Sequence, residues 1–178
     1  MRQLLLFGVF LAVVSCKEIS YKVPQPKGRK ALTSIPNVLQ GSYMLTSAED
    51  GSKDTLIINS KGYMAASDQK QKSLGDSLVL KFYKGYYFVS INENPEWILR
   101  IIKPEADGNL TFMSMNTRQE SFNALLTRLS QDDITIDSLA SGNDTLYQID
   151  PTPRQLLKLV KHGYFSETVK MQRIGKSD

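Results

Sequence analysis

The sequence predicts a mainly β (α+β) domain, an antiparallel meander or a barrel, with two helices near its C-terminal half. Three observations carry this. Across residues 41–115, short runs of Val, Ile, Leu, Thr, Tyr and Phe alternate with turn residues, enough for seven strands in seventy-five residues. The period then changes, and Phe122, Leu125, Leu126 and Leu129 fall at i, i+3, i+4 and i+7, an apolar helical stripe. Residues 152–163 carry paired helix start and stop signals.

The elements follow in order. A first strand over residues 41–46 ends at the turn Glu49-Asp50-Gly51-Ser52. Residues 55–59 lead through Ser60-Lys61-Gly62 into residues 63–66 as a hairpin. A second hairpin repeats the wording, since Asp54-Thr55-Leu56 and Lys61-Gly62-Tyr63 return as Asp76-Ser77-Leu78 and Lys84-Gly85-Tyr86. Along it Leu78, Leu80 and Phe82 share one face, and Val79, Lys81 and Tyr83 the other, while residues 86–91 are apolar on both. A third hairpin joins residues 97–102 to 110–115, and a meander of this length curls into a barrel or a strongly bent sheet.

Thr117 and Glu120 fit a capping box before the first helix. Two further strands are predicted over residues 134–139 and 145–149, parted by a Ser141-Gly142-Asn143 turn. In the second helix Thr152 caps, Pro153 fits the first turn, Gln155 completes a capping box, and Leu156, Leu157 and Val160 form the buried stripe. Lys158, Lys161 and His162 gather at its negative end, and Gly163 stops it. A last strand over residues 168–174 returns to the sheet and closes it.

The N-terminal stretch has a different composition. Arg2, the apolar run of residues 4–14 and small Ser15 have the order of a secretion signal, with an apolar run too short to span a bilayer. Val13-Val14-Ser15-Cys16 resembles the bacterial lipobox. That resemblance implies cleavage after residue 15, and a diacylglycerol on the thiol of Cys16, which is the only cysteine in the chain. Acyl chains bind membranes at about 0.8 kcal/mol per buried methylene, so two or three of them hold a protein firmly. Lys17 stands where inner-membrane lipoproteins often carry Asp, which points to the outer membrane. Lys17-Glu18 also resembles the surface-export signal of Bacteroidetes lipoproteins, with Ile19 departing from it, so both the periplasmic face and the cell surface remain open. The expected organisation is a signal peptide at 1–15, a lipidated Cys16 with a flexible basic tether to residue 36, and a single β-rich domain at 37–178.

The net charge of +4 and a pI near 9.1 suggest nucleic acid only until the charges are placed. Residues 17–36 hold five basic side chains against Glu18, whereas residues 37–178 hold 16 basic and 17 acidic ones. The domain itself is not basic, and no nucleic-acid partner is expected. The basic excess sits beside Pro24, Pro26, Gly28 and Pro36, the composition of a spacer that holds a domain roughly 25 Å from its anchor. Its cations suit anionic headgroups.

Chemistry-bearing patterns are few. One histidine and one cysteine do not assemble a zinc or copper set, so no metal and no cofactor is expected. His162 reads as a helix-end group, no Gly-x-Ser-x-Gly elbow accompanies it, and phosphate-cradling glycine loops are absent from the sequence. Asp50 and the Asp132-Asp133 pair lie beside turns and suit turn or cap duty. No catalytic residue is assigned, and the chain is not expected to be an enzyme.

The aromatic residues Tyr83, Tyr86, Tyr87, Phe88, Trp97 and Phe112 lie on adjacent predicted strands, where they either pack a core or line a cavity for a ligand. Gly41-Ser42-Tyr43 and Arg173 resemble the Gly-x-Trp opening and closing basic residue of lipocalin and calycin barrels, with tyrosine in place of tryptophan. This resemblance implies a barrel. Four triplets, containing Thr55, Ser77, Ser138 and Thr145, resemble the Asp-Ser/Thr-aliphatic acceptor of Bacteroidetes O-glycosylation; the alternative is that Asp ends a turn and the aliphatic residue points inward. The expectation is therefore a membrane-anchored envelope lipoprotein that binds a hydrophobic small molecule, lipid or glycan without catalysis. The alternative is an interaction module, a subunit or inhibitor, of an envelope protein complex.

Overall fold

The computed structural model describes residues 19–46, 51–93, 95–117, 119–141 and 144–175. The expected signal peptide, Cys16, Lys17-Glu18, Glu49 and Asp50 of the turn at 49–52, and Gly142 and Asn143 of the turn at 141–143 lie outside these residues. So do the side chains of Glu120 and Thr145.

The fold is mainly β with two helices, as the periodicities predict. Strands β2 (Gly41–Thr46), β3 (Lys53–Ile58) and β4 (Gly62–Ala65) form one antiparallel meander, extended by the short β5 (Lys72–Ser73). Strands β6 (Leu78–Tyr83), β7 (Tyr86–Asn92), β8 (Trp97–Pro104) and β9 (Leu110–Ser114) form another. The last strand, β12 (Glu167–Ile174), joins the two. Residues 167–171 pair with β9 and residues 172–174 with β2.

The sheet stays open, which corrects the closed-barrel alternative. Its physical cause lies at the gap between the two meanders. β5 is only two residues long, and the N-terminal segment crosses there instead: Leu32 N–H donates to Leu80 O (2.8 Å) and Ile35 N–H to Ser60 O (2.9 Å). Single hydrogen bonds bridge the gap where a closed barrel has a ladder.

The same segment corrects the tether. Residues 19–36 were expected as a flexible spacer, yet Ile19–Tyr21 form strand β1, with at most 3% of any of the three exposed. β1 lies between β8 and the parallel β11 (Asp144–Ile149), which pairs onward with β10 (Ile136–Ser141). Ser20 Oγ donates to Glu96, as does Gln148 Nε2, so β1, β11 and the β7–β8 turn share one carboxylate. Beyond β1, Gln25 N–H donates to Ser90 Oγ, and Lys81 Nζ donates to the carbonyls of Pro24 (2.6 Å) and Pro26 (3.1 Å). Burial lowers the Lys81 pKa below the ordinary lysine value. Three of the five cations expected to reach headgroups are engaged as well. Lys22 pairs with Asp137 and Lys27 with Asp150, both at 2.8 Å, and Arg29 lies over the Tyr83 ring.

Both faces of the central sheet are covered. On one, Phe88, Leu99 and Ile101 meet α1 (Gln119–Gln131) through Phe122, Leu125 and Leu129, and α2 (Pro153–Lys161) through Leu156 and Leu159. Leu159 takes the place predicted for Leu157, because the stripe runs 156, 159, 160; Leu157 is only half-buried. The Thr152–Gln155 capping box forms as predicted. At the far end of α2 Asp132 gathers Lys158 Nζ (2.9 Å), Tyr164 Oη (2.7 Å) and, at 3.7 Å, His162.

Arg173 ties the two meanders together beside the strand that joins them. Its Nε donates to Gly108 O (3.0 Å) and its Nη1 to Gln40 O (2.8 Å), while Nη2 reaches Tyr43 Oη and the guanidinium lies over the Tyr43 ring. A Cβ at Gly41 would come within 2.6 Å of the guanidinium, and φ there is +144°, so glycine is required beside the clamp.

Two outcomes follow. Replacing Arg173 with Leu removes a charged hydrogen-bond fork and a cation–π contact, and is expected to cost about 2–4 kcal/mol in urea unfolding, with Lys intermediate. The Asp132 carboxyl is held below the usual carboxylate range by Tyr164 and then Lys158. Its stabilising contribution is therefore present above the ordinary value and lost as pH falls through the depressed one, below about pH 4. Asp132→Asn is expected to flatten stability against pH in that window.

Candidate functional site

The second face of the sheet curls around empty space. β2, β3, β4, β6, β7, β8, β9 and β12 surround a cavity of about 480 Å³, within the usual range of small-molecule sites. Strand alternation decides what lines it. On β7 the odd residues Val89 and Ile91 point in, and on β8 the even residues Arg100 and Ile102 do, while Phe88, Leu99 and Ile101 belong to the helix-backed core. Leu56 and Ile58 of β3, Leu78 and Leu80 of β6, Val169 and Met171 of β12 and Phe112 of β9 continue the wall.

One end is plugged. Residues 36–40 turn back on themselves, with Leu39 N–H donating to Pro36 O, and carry Leu39 and Ile35 into the cavity wall. Tyr43 seals the wall behind them and donates its hydroxyl to Leu39 O (3.1 Å). Burial raises the pKa of that phenol and Arg173 pulls it down, so the clamp that joins the sheet also closes the plugged end.

The lining chemistry is lopsided. Fifteen of nineteen lining residues are aliphatic, aromatic or Met, and Thr46, Ser52, Asp54 and Arg100 supply the rest, three of them where β2 and β3 approach their connecting turn. Asp54 is committed to its hairpin. It accepts from Thr55 N–H (2.7 Å) and from Ser67 Oγ (2.5 Å), which holds its carboxyl below the usual range. Arg100 donates to Leu99 O and also borders the small depression beside Ile19. The wall therefore offers dispersion contact along its length and polar groups in only a few places. Among the described residues there is no group of three or more His, Cys, Asp or Glu that could hold a metal.

The six aromatics singled out from sequence divide between the faces. Phe112 lines the cavity and Tyr87 packs against the same core, with its ring 4.8 Å from Phe82. Phe88, Tyr83, Tyr86 and Trp97 pack with the helix-backed core. What the sequence reading passed over is the aliphatic wall, for which parity along each hairpin was the available signal: Leu78 and Leu80, read as one face, do line the cavity together.

The glycosylation-like triplets divide too. Ser77 and Ser138 are exposed, Thr55 is half-buried, and the side chain of Thr145 lies outside the described residues. In two triplets the leucine, Leu56 or Leu78, faces the cavity, which gives those leucines a packing role of their own. The chain matches no protein-family model, no curated protein and no solved structure.

Leu39 both plugs the cavity and is 1% exposed. Leu39→Ala is expected to cost about 2–5 kcal/mol in urea unfolding and to open the plugged end to solvent. A loss well under 1 kcal/mol would show that the plug is not packed.

Proposed function

We propose that the protein binds a hydrophobic small molecule or lipid chain in this cavity, without catalysis, as a lipoprotein of the bacterial envelope. One observation carries the binding reading: a cavity of about 480 Å³ whose wall is apolar in fifteen residues of nineteen. Such a wall favours hydrocarbon, because each buried methylene contributes about 0.8 kcal/mol. It disfavours a glycan, whose hydroxyls need partners that fourteen of these side chains lack.

The anchor belongs to the proposal on sequence grounds. Val13-Val14-Ser15-Cys16 supplies the lipobox pattern, and the lone Cys16 has no second cysteine to pair with. In this reading Cys16 carries the lipid, and the domain works at the outer membrane, on its periplasmic face or at the cell surface.

Titration with a fluorescent fatty acid tests the binding site. Saturable binding is expected, with thermal stabilisation of about 2.7 kcal/mol at a free ligand concentration of about a hundred times Kd. Val89→Trp fills the cavity and is expected to weaken binding tenfold or more, about 1.4 kcal/mol, whereas Phe82→Ser, at an exposed site, leaves it unchanged. Equal binding by the wild type and Val89→Trp would overturn the reading.

A further inference from the structure

The cavity is separated from the proposed anchor by almost no chain. β1 begins at Ile19, and Ile19 is buried, paired with Tyr147 of β11, and followed by Ser20 and Tyr21, which pair with β8. The residues behind β1 provide no slack, since Gln25 is bonded to Ser90 and Leu32 and Ile35 bridge the sheet gap. Only Lys17 and Glu18 stand between Cys16 and this fixed strand.

Three Cα steps of at most about 3.6 Å place Ile19 within about 11 Å of Cys16. A headgroup layer is about 5–8 Å thick, judged from a bilayer of 40–45 Å around a 30 Å hydrocarbon core. The link is therefore barely longer than the layer it has to cross. The roughly 25 Å of reach that a twenty-residue spacer gives is not available to this chain.

We infer that the face around the start of β1 is a membrane-apposed surface whose partner is the lipid headgroup layer. Resting on the Cys16 anchor reading, this adds an orientation to it. The surface is marked by exposed Ser166; its neighbour Phe165 and Met115, both buried, and half-buried Thr117 line a small depression with Ile19 beneath the chain entry. Lys22 and Lys27 are paired within the domain and Arg29 lies over Tyr83, so these three cations add little to the apposition. The length of the link sets it. The domain pivots at the bilayer surface, and Arg100, which borders both the depression and the cavity, puts the ligand site on the strand next to the pivot.

The test uses the full lipidated chain reconstituted in phosphatidylethanolamine and phosphatidylglycerol vesicles that carry a nitroxide on a phosphocholine headgroup. A single fluorophore is placed at Ser166→Cys, beside Phe165, or at Lys61→Cys in the β3–β4 turn, five strands from β1 in the sheet. Both positions are exposed. Loss of emission is expected to be greater at 166 than at 61, and a flexible twenty-residue insertion between Glu18 and Ile19 is expected to remove the difference. Equal quenching at both positions in the uninserted protein, with the protein still vesicle-bound, would overturn the inference while leaving the anchor standing. Vesicle binding unchanged by Cys16→Ala would overturn the anchor itself, and the inference with it.

Discussion

A sheet that is apolar on both faces has to be covered twice, and most of this architecture answers that constraint. Strands β6 to β9 carry large side chains in both parities, with Phe88, Leu99 and Ile101 on one face and Leu80, Val89 and Ile102 on the other. Two short helices suffice for one face. The other is covered by the sheet itself, as β2, β3 and β4 swing round through β12, and by the N-terminal segment laid across the gap. Helix packing fills the first core solidly. Self-covering by a curved sheet leaves space, and the cavity is the result.

Arg173 matters because it holds the two meanders together where β12 joins them. One guanidinium satisfies the carbonyls of Gln40 and Gly108, stacks on Tyr43 and reaches its hydroxyl, while the backbone N–H of the same residue donates to Asn109 Oδ1. Three segments distant in sequence meet at one cation, and Gly41 leaves room for it. The N-terminal segment acts similarly on the opposite core. It supplies β1, covers Ser90 with Gln25 and Lys81 with the Pro24 and Pro26 carbonyls, and places Lys22 and Lys27 in ion pairs, so what composition marks as a solvated leash is a structural layer.

Much of the fold was legible because periodicity is local. Seven of the strands from Gly41 to Ser114, all but the two-residue β5, both helices and the Thr152–Gln155 cap follow from spacing alone, and the Gly41, Tyr43 and Arg173 pattern pointed to residues that do meet. The misreadings share a cause. Whether residues 19–36 form a leash or a layer depends on carbonyls and carboxylates far away in sequence, such as Asp137 and Asp150, which no local pattern announces. Barrel closure depends on what occupies one gap. In the candidate site the search for chemically distinctive side chains drew attention to Trp97 and the tyrosines, whereas the cavity is built from plain aliphatics that share a strand face.

The central claim is that one face of the sheet binds a hydrocarbon ligand and the other is solid core. Ile101 and Ile102 are neighbours in sequence on opposite faces, so they report on it separately. Methyl NMR of the domain titrated with a saturated fatty acid tests the claim directly. The account predicts saturable shifts at Ile102, Leu80, Val89 and Ile58, with Ile101, Leu99 and Leu125 unmoved. Shifts confined to the helix-backed core, or no saturable shifts at all, would contradict it.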